Sequence, residues 1–323
     1  MAKTKEIKSR IRSVSNTQKV TRAMEMVAAA KMRKAVEAVL RTRTYANLSW
    51  ETILNLAHSL NGTLTPHPLL AKPKTVKKIA IILIASNRGL CGGFNTTLIQ
   101  KVRGSIAKHK GVDGKEIDTD FILMGKKGAS IYRNFGYNIA ADFPKPDLLP
   151  EFKEVVPVAE MAISEFLAHT YDKIMVAYTD FVSASTQVPR VKQLLPIDTT
   201  LEENTHLGVM GEDTRVGVGK DFIDKRENEH LRSGKFKYEY VFEPSPEEVL
   251  NEMIPRLIEI QLYQALLESN ASEHSARMAA MHKANEAASD MVQELTLFYN
   301  KARQATITAE IAEISAGAEA LTK

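Results

Sequence analysis

Apolar residues near the start of the chain recur at spacings of three and four. Ile7, Ile11 and Val14 do so, as do Val20, Met24 and Val27. That is a helical period, and from Lys3 to Ser59 neither Pro nor Gly interrupts it. Some 55 residues rising about 1.5 Å each make a rod of roughly 80 Å, a length that suggests a coiled coil rather than a globular helix. Asn61-Gly62, Pro66, Pro68 and Pro73 end it. The middle of the chain changes texture. Residues 78–86 (KIAIILIAS) are a continuous apolar run of strand length, 89–95 a tight turn, and a helix-like stretch follows to about Lys110. Residues 121–124 predict a second short strand, followed by a glycine turn at 125–128 and another helix. Residues 155–169 predict a helix, 173–181 a strand, and 187–195 a final extended segment. Apolar strands alternating with helices predict a small, mostly parallel sheet covered by helices.

From about Asp198 to Lys237 no period is sustained, and glycines 208, 211, 217, 219 and 234 sit among many charges. This predicts a mobile insertion or a loose hairpin outside the core. At Ser245-Pro246-Glu247-Glu248 the signals of a helix start coincide: a good N-cap, Pro at the first helical position, and Glu three residues after the cap. Pro255 should kink that helix or delay its true start. Towards the end, Ala288, Met291, Leu295, Phe298, Ala302, Ala305, Ala309, Ala312 and Ala316 alternate spacings of three and four. This predicts a heptad seam whose last members, all alanine, let two helices approach closely in a slender two-stranded shaft.

Charge joins the two ends. Residues 1–43 carry 12 Lys/Arg against 3 Asp/Glu, a net of +9; residues 243–323 carry 6 against 13, a net of −7. Two long helices of opposite sign, each with an apolar seam that water would otherwise meet, predict pairing with each other. The expected fold is therefore α/β with long helices: an antiparallel coiled coil of the N- and C-terminal helices plus a small, mostly parallel Rossmann-like α/β domain. The expected divisions are 1–60 for the first coiled-coil helix, 75–197 for the α/β domain, 198–237 for the insertion and 245–323 for the last helix.

Composition narrows the function classes. The 323 residues are 44% hydrophobic and 25% charged, which excludes a disordered or collagen-like chain. The longest strongly apolar stretch, 79–85, is too short to span a bilayer. A single cysteine, Cys91, excludes an intramolecular disulfide framework and a Cys-rich zinc site. The basic first residues lack the apolar run and cleavage pattern of a leader and include Glu6, so they are expected to be mature protein.

No motif amounts to an active site. Residues 86–95 (SNRGLCGGFN) follow a strand and open a helix, where a phosphate loop would sit, but they lack the spacings of either nucleotide fingerprint. They predict a glycine turn needing positive φ. Cys91 has no base or orienting partner indicated by spacing. Residues 217–220 (GVGK) fail as a Walker loop, since Thr214 stands where its first Gly should be and Asp221 where Ser or Thr should follow. His274 and His282 are too far apart to chelate one ion from a single helix. No cofactor or metal is called for.

The ends carry more than a period. Residues 16–34 (NTQKVTRAMEMVAAAKMRK), 269–281 (SNASEHSARMAAM) and 299–308 (YNKARQATIT), with the turn at 87–93 (NRGLCGG), resemble the gamma subunit of F-type ATP synthase, in that family's order and over nearly the whole chain. The resemblance implies a non-catalytic central rotor. The coiled coil would stand inside a hexameric ring of alpha and beta subunits, and the α/β domain would form a foot with the epsilon subunit on the membrane c ring. It implies ring contacts at Lys19, Met24, Arg277, Arg303, Gln304 and Thr308, and a c-ring contact at Glu243. It implies a peripheral position on the cytoplasmic face of a bacterial plasma membrane, or alternatively on an inner organelle membrane. Residues 198–237 sit near where photosynthetic members carry a regulatory cysteine pair; with no cysteine there, a dithiol switch is excluded. Two other classes remain beside the rotor. One is a nucleotide-binding enzyme with a helical appendage, suggested by 79–100. The other is a coiled-coil binder of nucleic acid, suggested by the basic first helix and marked by steep salt dependence.

Overall fold

The computed structural model describes residues 2–59, 67–71, 73, 75–108, 117–128, 136–147, 150–197, 243 and 245–321. The insertion expected at 198–237, with its Walker-like 217–220, lies outside them. Two compact units are formed: residues 1–29 with 277–323, and residues 30–276.

The larger unit holds a five-stranded sheet. Its strands are β1 (Lys78–Ile84), β2 (Asp118–Met124), β3 (Asn138–Phe143), β4 (Lys173–Phe181) and β5 (Gln187–Leu195), in the order β3-β2-β1-β4-β5. β1 pairs parallel with β2 and β4, β2 pairs parallel with β3, and only β5 is antiparallel. The mostly parallel sheet is as expected, and β4 and β5 carry the expected bounds. β3 was not anticipated. Its burial alternates between exposed and half-buried, and it pairs on one side only, so its sequence lacks the continuous apolar run that marks the buried strands.

The core strands are apolar on both faces because helices cover both. Ile79, Ile81, Leu83, Phe121 and Met175 pack on α2 (Phe94–Lys108) through Leu98, Val102 and Ile106. Ala80, Ile82, Ile122, Ile174 and Val176 pack on α3 (Val156–Leu167) and on the early turns of α4 (Pro246–Leu321) through Ile254, Leu257, Ile258 and Leu262. The start of α4 follows its signals: the Glu248 amide donates to Ser245 Oγ at 3.2 Å. Pro255 lies inside this helix rather than delaying it. The first helix, α1 (Ala2–Ser59), also forms as expected, and in this unit its Ala35 and Val39 pack on Leu267 and Ala271 of α4.

One turn admits only glycine. Gly125, after β2, has φ +109°, and a Cβ there would stand 2.4 Å from the Ala85 carbonyl oxygen. Gly125→Ala is expected to lower unfolding free energy by about 3 kcal/mol or more, read as an earlier urea midpoint; an unchanged midpoint would refute the constraint.

Lys192 of β5 is buried, and burial holds its ammonium well below the ordinary value of 10.5, to about 8, against the opposing pull of Glu268. Between those two values the unfolded chain binds a proton that the fold does not, so stability should rise as pH rises from about 8 to about 10.5. Thermal melts across that window should show the rise in the native chain and a flatter profile in Lys192→Met.

Candidate functional site

A parallel sheet offers its ligand crevice beyond the carboxyl ends of its strands, where the strand order reverses. Here the reversal lies between β1 and β4. That crevice is filled by the chain itself. Ser269 of α4 donates to the carbonyl of Ile84 at the end of β1 (3.4 Å), Ser272 to the carbonyl of Thr179 in β4 (3.0 Å), and Ser275 to the carbonyl of Ala184 in the following turn (2.6 Å). The spacing i, i+3, i+6 puts three small side chains on one helix face. That lets the helix backbone approach the strand ends closely. All three serines are fully buried.

The glycine turn beside the crevice is also tied down. Asn95 caps it, accepting from the Ser86 amide at 3.1 Å and donating to Ser86 Oγ at 2.7 Å. Asn87 donates to the Lys145 carbonyl and to Asp147 (2.6 and 3.0 Å), and Arg88 pairs with Asp147 at 3.1 Å. Burial opposes ionisation of Asp147, but the Asn87 bond and the cations Arg88 and Lys31 outweigh it and hold its pKa below the usual value. Positive φ occurs at Gly92, as expected for a glycine turn, and also at Leu90, which the sequence did not signal. Cys91 is buried, with Ser86 Oγ and the Arg88 carbonyl 3.8 and 3.9 Å from its sulfur. Neither neighbour is a base that could activate it.

The smaller unit is a helix pair. Along α1, the half-buried or buried positions include Thr4, Ile7, Ile11, Val14, Gln18, Thr21, Glu25 and Ala28. On α4 they include Met278, Met281, Asn285, Ala288, Val292, Leu295, Tyr299, Ala302 and Thr306. Both sets alternate spacings of three and four, the heptad seam of a coiled coil. The Glu25 carboxylate of α1 meets His282 Nδ1 of α4 at 2.9 Å. In the other unit, Thr42 of α1 donates to Gln264 of α4 at 2.7 Å. Within the smaller unit, Glu25 and His282 lie where its α1 segment finishes and its α4 segment begins, so there the helices pair antiparallel.

This seam corrects the expected one. Ala288, Leu295 and Ala302 belong to it, but Met291 and Phe298 are exposed and the adjacent Val292 and Tyr299 take their places. Ala305, Ala309, Ala312 and Ala316 are exposed too. Beyond Thr306 every described side chain of α4 is exposed, so the expected alanine seam does not continue through its last turns. On α1, Ile7, Ile11 and Val14 are seam residues as expected. Val20 and Val27 are not; they are exposed, while Gln18, Thr21 and Glu25 face inward.

The outcome is a helix pair with polar groups inside and apolar groups outside over part of its length. Its last turns carry Ile307, Ile311 and Ile314, spaced i, i+4, i+7, with Ile314 72% exposed. Such a stripe in water has a cost of about 25 cal/mol per Å² of apolar area, and contiguous exposed apolar area marks an interaction surface. The sequence signal was present, as the same isoleucines fall between the alanines of the expected seam.

The predicted contact residues distribute as follows. Lys19, Arg303, Gln304 and Thr308 are exposed on the helix pair. Met24 is half-buried beside the seam, and Arg277 is half-buried. Arg303 continues the isoleucine stripe by one turn, four residues before Ile307, while Gln304 and Thr308 share a neighbouring face. Glu243 belongs to the larger unit, exposed just before α4. These residues form no single cluster. Among the described residues no group of acids, histidines or Cys could hold a metal ion, and no helix is long and apolar enough to cross a membrane.

Known proteins share this sequence pattern and this fold. A family model described as ATP synthase matches residues 3–321. The chain is 38% identical over 322 residues to the ATP synthase gamma chain of Chloroflexus aurantiacus, covering 100% of both, and 36% identical over 321 residues to that of Legionella pneumophila, covering 99% of this chain and 100% of the other. Its fold is similar to a chain of the Euglena gracilis mitochondrial ATP synthase assembly of OSCP, F1 and c-ring, with TM-score 0.63 and 18% identity over 99% of this chain and 95% of that one. It is also similar to a chain of the Tetrahymena thermophila mitochondrial ATP synthase central stalk and c-ring, with TM-score 0.57 and 21% identity over 82% of this chain and 99% of that one.

Proposed function

Because this chain belongs to the ATP synthase gamma-chain family, we propose that its work is mechanical: it is the non-catalytic rotor shaft of an ATP synthase, coupling rotation of a membrane c ring to conformational change in catalytic beta subunits. The observation that carries this reading is the inside-out exposure of the helix pair. Apolar Val20, Val27, Met291, Phe298 and the terminal isoleucines face outward, as suits a shaft enclosed by other subunits. The filled switch-point crevice agrees, since it leaves the α/β domain no room for a nucleotide there.

The enclosing surface is an alpha and beta ring, with Lys19, Met24, Arg277, Arg303, Gln304 and Thr308 as contacts. The larger unit is the foot, with the epsilon subunit beside it and Glu243 towards the c ring. The complex sits on the cytoplasmic face of a bacterial plasma membrane. Residues 198–237 add a mechanical or subunit contact; deleting 200–236 should alter hydrolysis, synthesis or regulation, and unchanged values in all three would leave the segment no such role.

Pull-down of the tagged chain from gently solubilised membranes should recover ATP-hydrolysing complex with alpha and beta subunits. Recovery of the chain alone, or with nucleic acid, would sink the rotor reading. Within the complex, Arg303→Ala and Gln304→Ala should leave the chain's own stability within about 0.5 kcal/mol, as for exposed positions. They should slow ATP-driven proton pumping by about tenfold, as for an interface anchor worth about 1.4 kcal/mol. Wild-type pumping in both variants would remove these residues from the contact.

A further inference from the structure

Residues 268–275 of α4 (ESNASEHS) are polar except for Ala271, yet every one is buried. A helix buried on all sides is normally apolar all round. Here the polar groups divide by face. Ser269, Ser272 and Ser275 bond to backbone carbonyls at the carboxyl edge of the sheet. Asn270, Glu273 and His274, spaced i, i+3, i+4, address the segment after β3 instead. Asn270 donates to the Pro146 carbonyl at 3.3 Å, His274 Nε2 lies 3.0 Å from the Asp147 carbonyl, and Glu273 accepts from Lys145 Nζ at 2.7 Å. Both members of that ion pair are buried. A third face, with Leu267 and Ala271, packs on α1.

Apolar packing is non-directional and resists rotation of a helix about its own axis only through shape. Hydrogen bonds are directional: turning the helix by one residue, about 100°, would break every one of these bonds at once. Each group would then be buried without a partner, which costs far more than the bond contributes when made. The stretch therefore fixes the rotational phase of α4 against the sheet more sharply than an apolar core would.

We infer that residues 268–275 are a torsional latch, with Lys145 and Glu273 as the positioning pair that keeps α4 from turning within the α/β domain when the shaft carries load. This rests on the rotor reading above. On its own helix Glu273 has Ser269 and Asn270 one turn before it and Arg277 one turn after it, and the segment after β3 brings Asp147 near His274.

The test uses the whole reconstituted complex and the double substitution Lys145→Met with Glu273→Met. Replacing both partners leaves no lone buried charge, so the domain should still fold. Expected is wild-type assembly and wild-type ATP hydrolysis without a gradient, with protons pumped per ATP falling about twofold or more as an opposing gradient rises, since the directional restraint is gone. A ratio equal to wild type at every gradient would overturn the latch. So would a loss of equal size with and without load, because that marks a merely structural role. If the double variant does not assemble, Ser272→Ala is read by the same two criteria. Native complex that fails to pump at all would refute the rotor reading rather than the latch.

Discussion

Everything in the chain's design follows from a requirement on two helices: neither α1 nor α4 can keep its seam out of water without the other. Their pairing is antiparallel and heptad-spaced, and it brings the two ends of the sequence, one basic and one acidic, together. The seam is not uniformly apolar. Gln18, Thr21 and Glu25 occupy it on α1, and Asn285 occupies it on α4, with its side-chain oxygen buried and without a hydrogen-bond partner. A polar residue at such a position lowers stability and fixes register. Apolar residues displaced from the seam appear on the outside.

The same helix decides what the α/β domain is not. The strand order 3-2-1-4-5 creates a switch point, the place at which open α/β sheets hold ligands. Ser269 and Ser272 of α4 occupy that place with hydrogen bonds to the strand ends. Fold and function part company here for a physical reason: the crevice has been turned from a binding site into a socket for a helix.

Much of this was legible in the sequence. β4 and β5 are recovered to the residue, because they are bounded by turns and β4 carries the continuous apolar run 174–178. The first long helix shows itself by the absence of Gly and Pro from Lys3 to Ser59, and the last by its start signals at 245–248 and the lack of Gly from there to Gly317. The phase of the α4 seam was not legible, because Met291-Val292 and Phe298-Tyr299 are adjacent apolar pairs that satisfy a heptad in either of two settings. Only the partner helix selects between them. The alanines after Thr306 were misleading in a second way: their spacing implied a seam, yet Ala309, Ala312 and Ala316 are exposed. β3 escaped notice because an edge strand with one solvated side need not be apolar. The proposed contact residues were placed by resemblance, and spacing could not find them because they lie on several faces and in two units. The burial of the polar run at 268–275 was not legible, because charged and amide residues recur along the whole of α4 and only tertiary packing marks these as inside.

A seam that repeats every seven residues, on a helix whose natural turn is slightly longer than 3.5, winds left-handed about its partner. From Thr4 to Ala28 the spacing in α1 holds without a skip. A wound pair of that kind is chiral as a spring. Twist of one sense tightens the strands on each other, and twist of the other sense opens them. The helix pair therefore cannot be elastically indifferent to the direction in which it is driven.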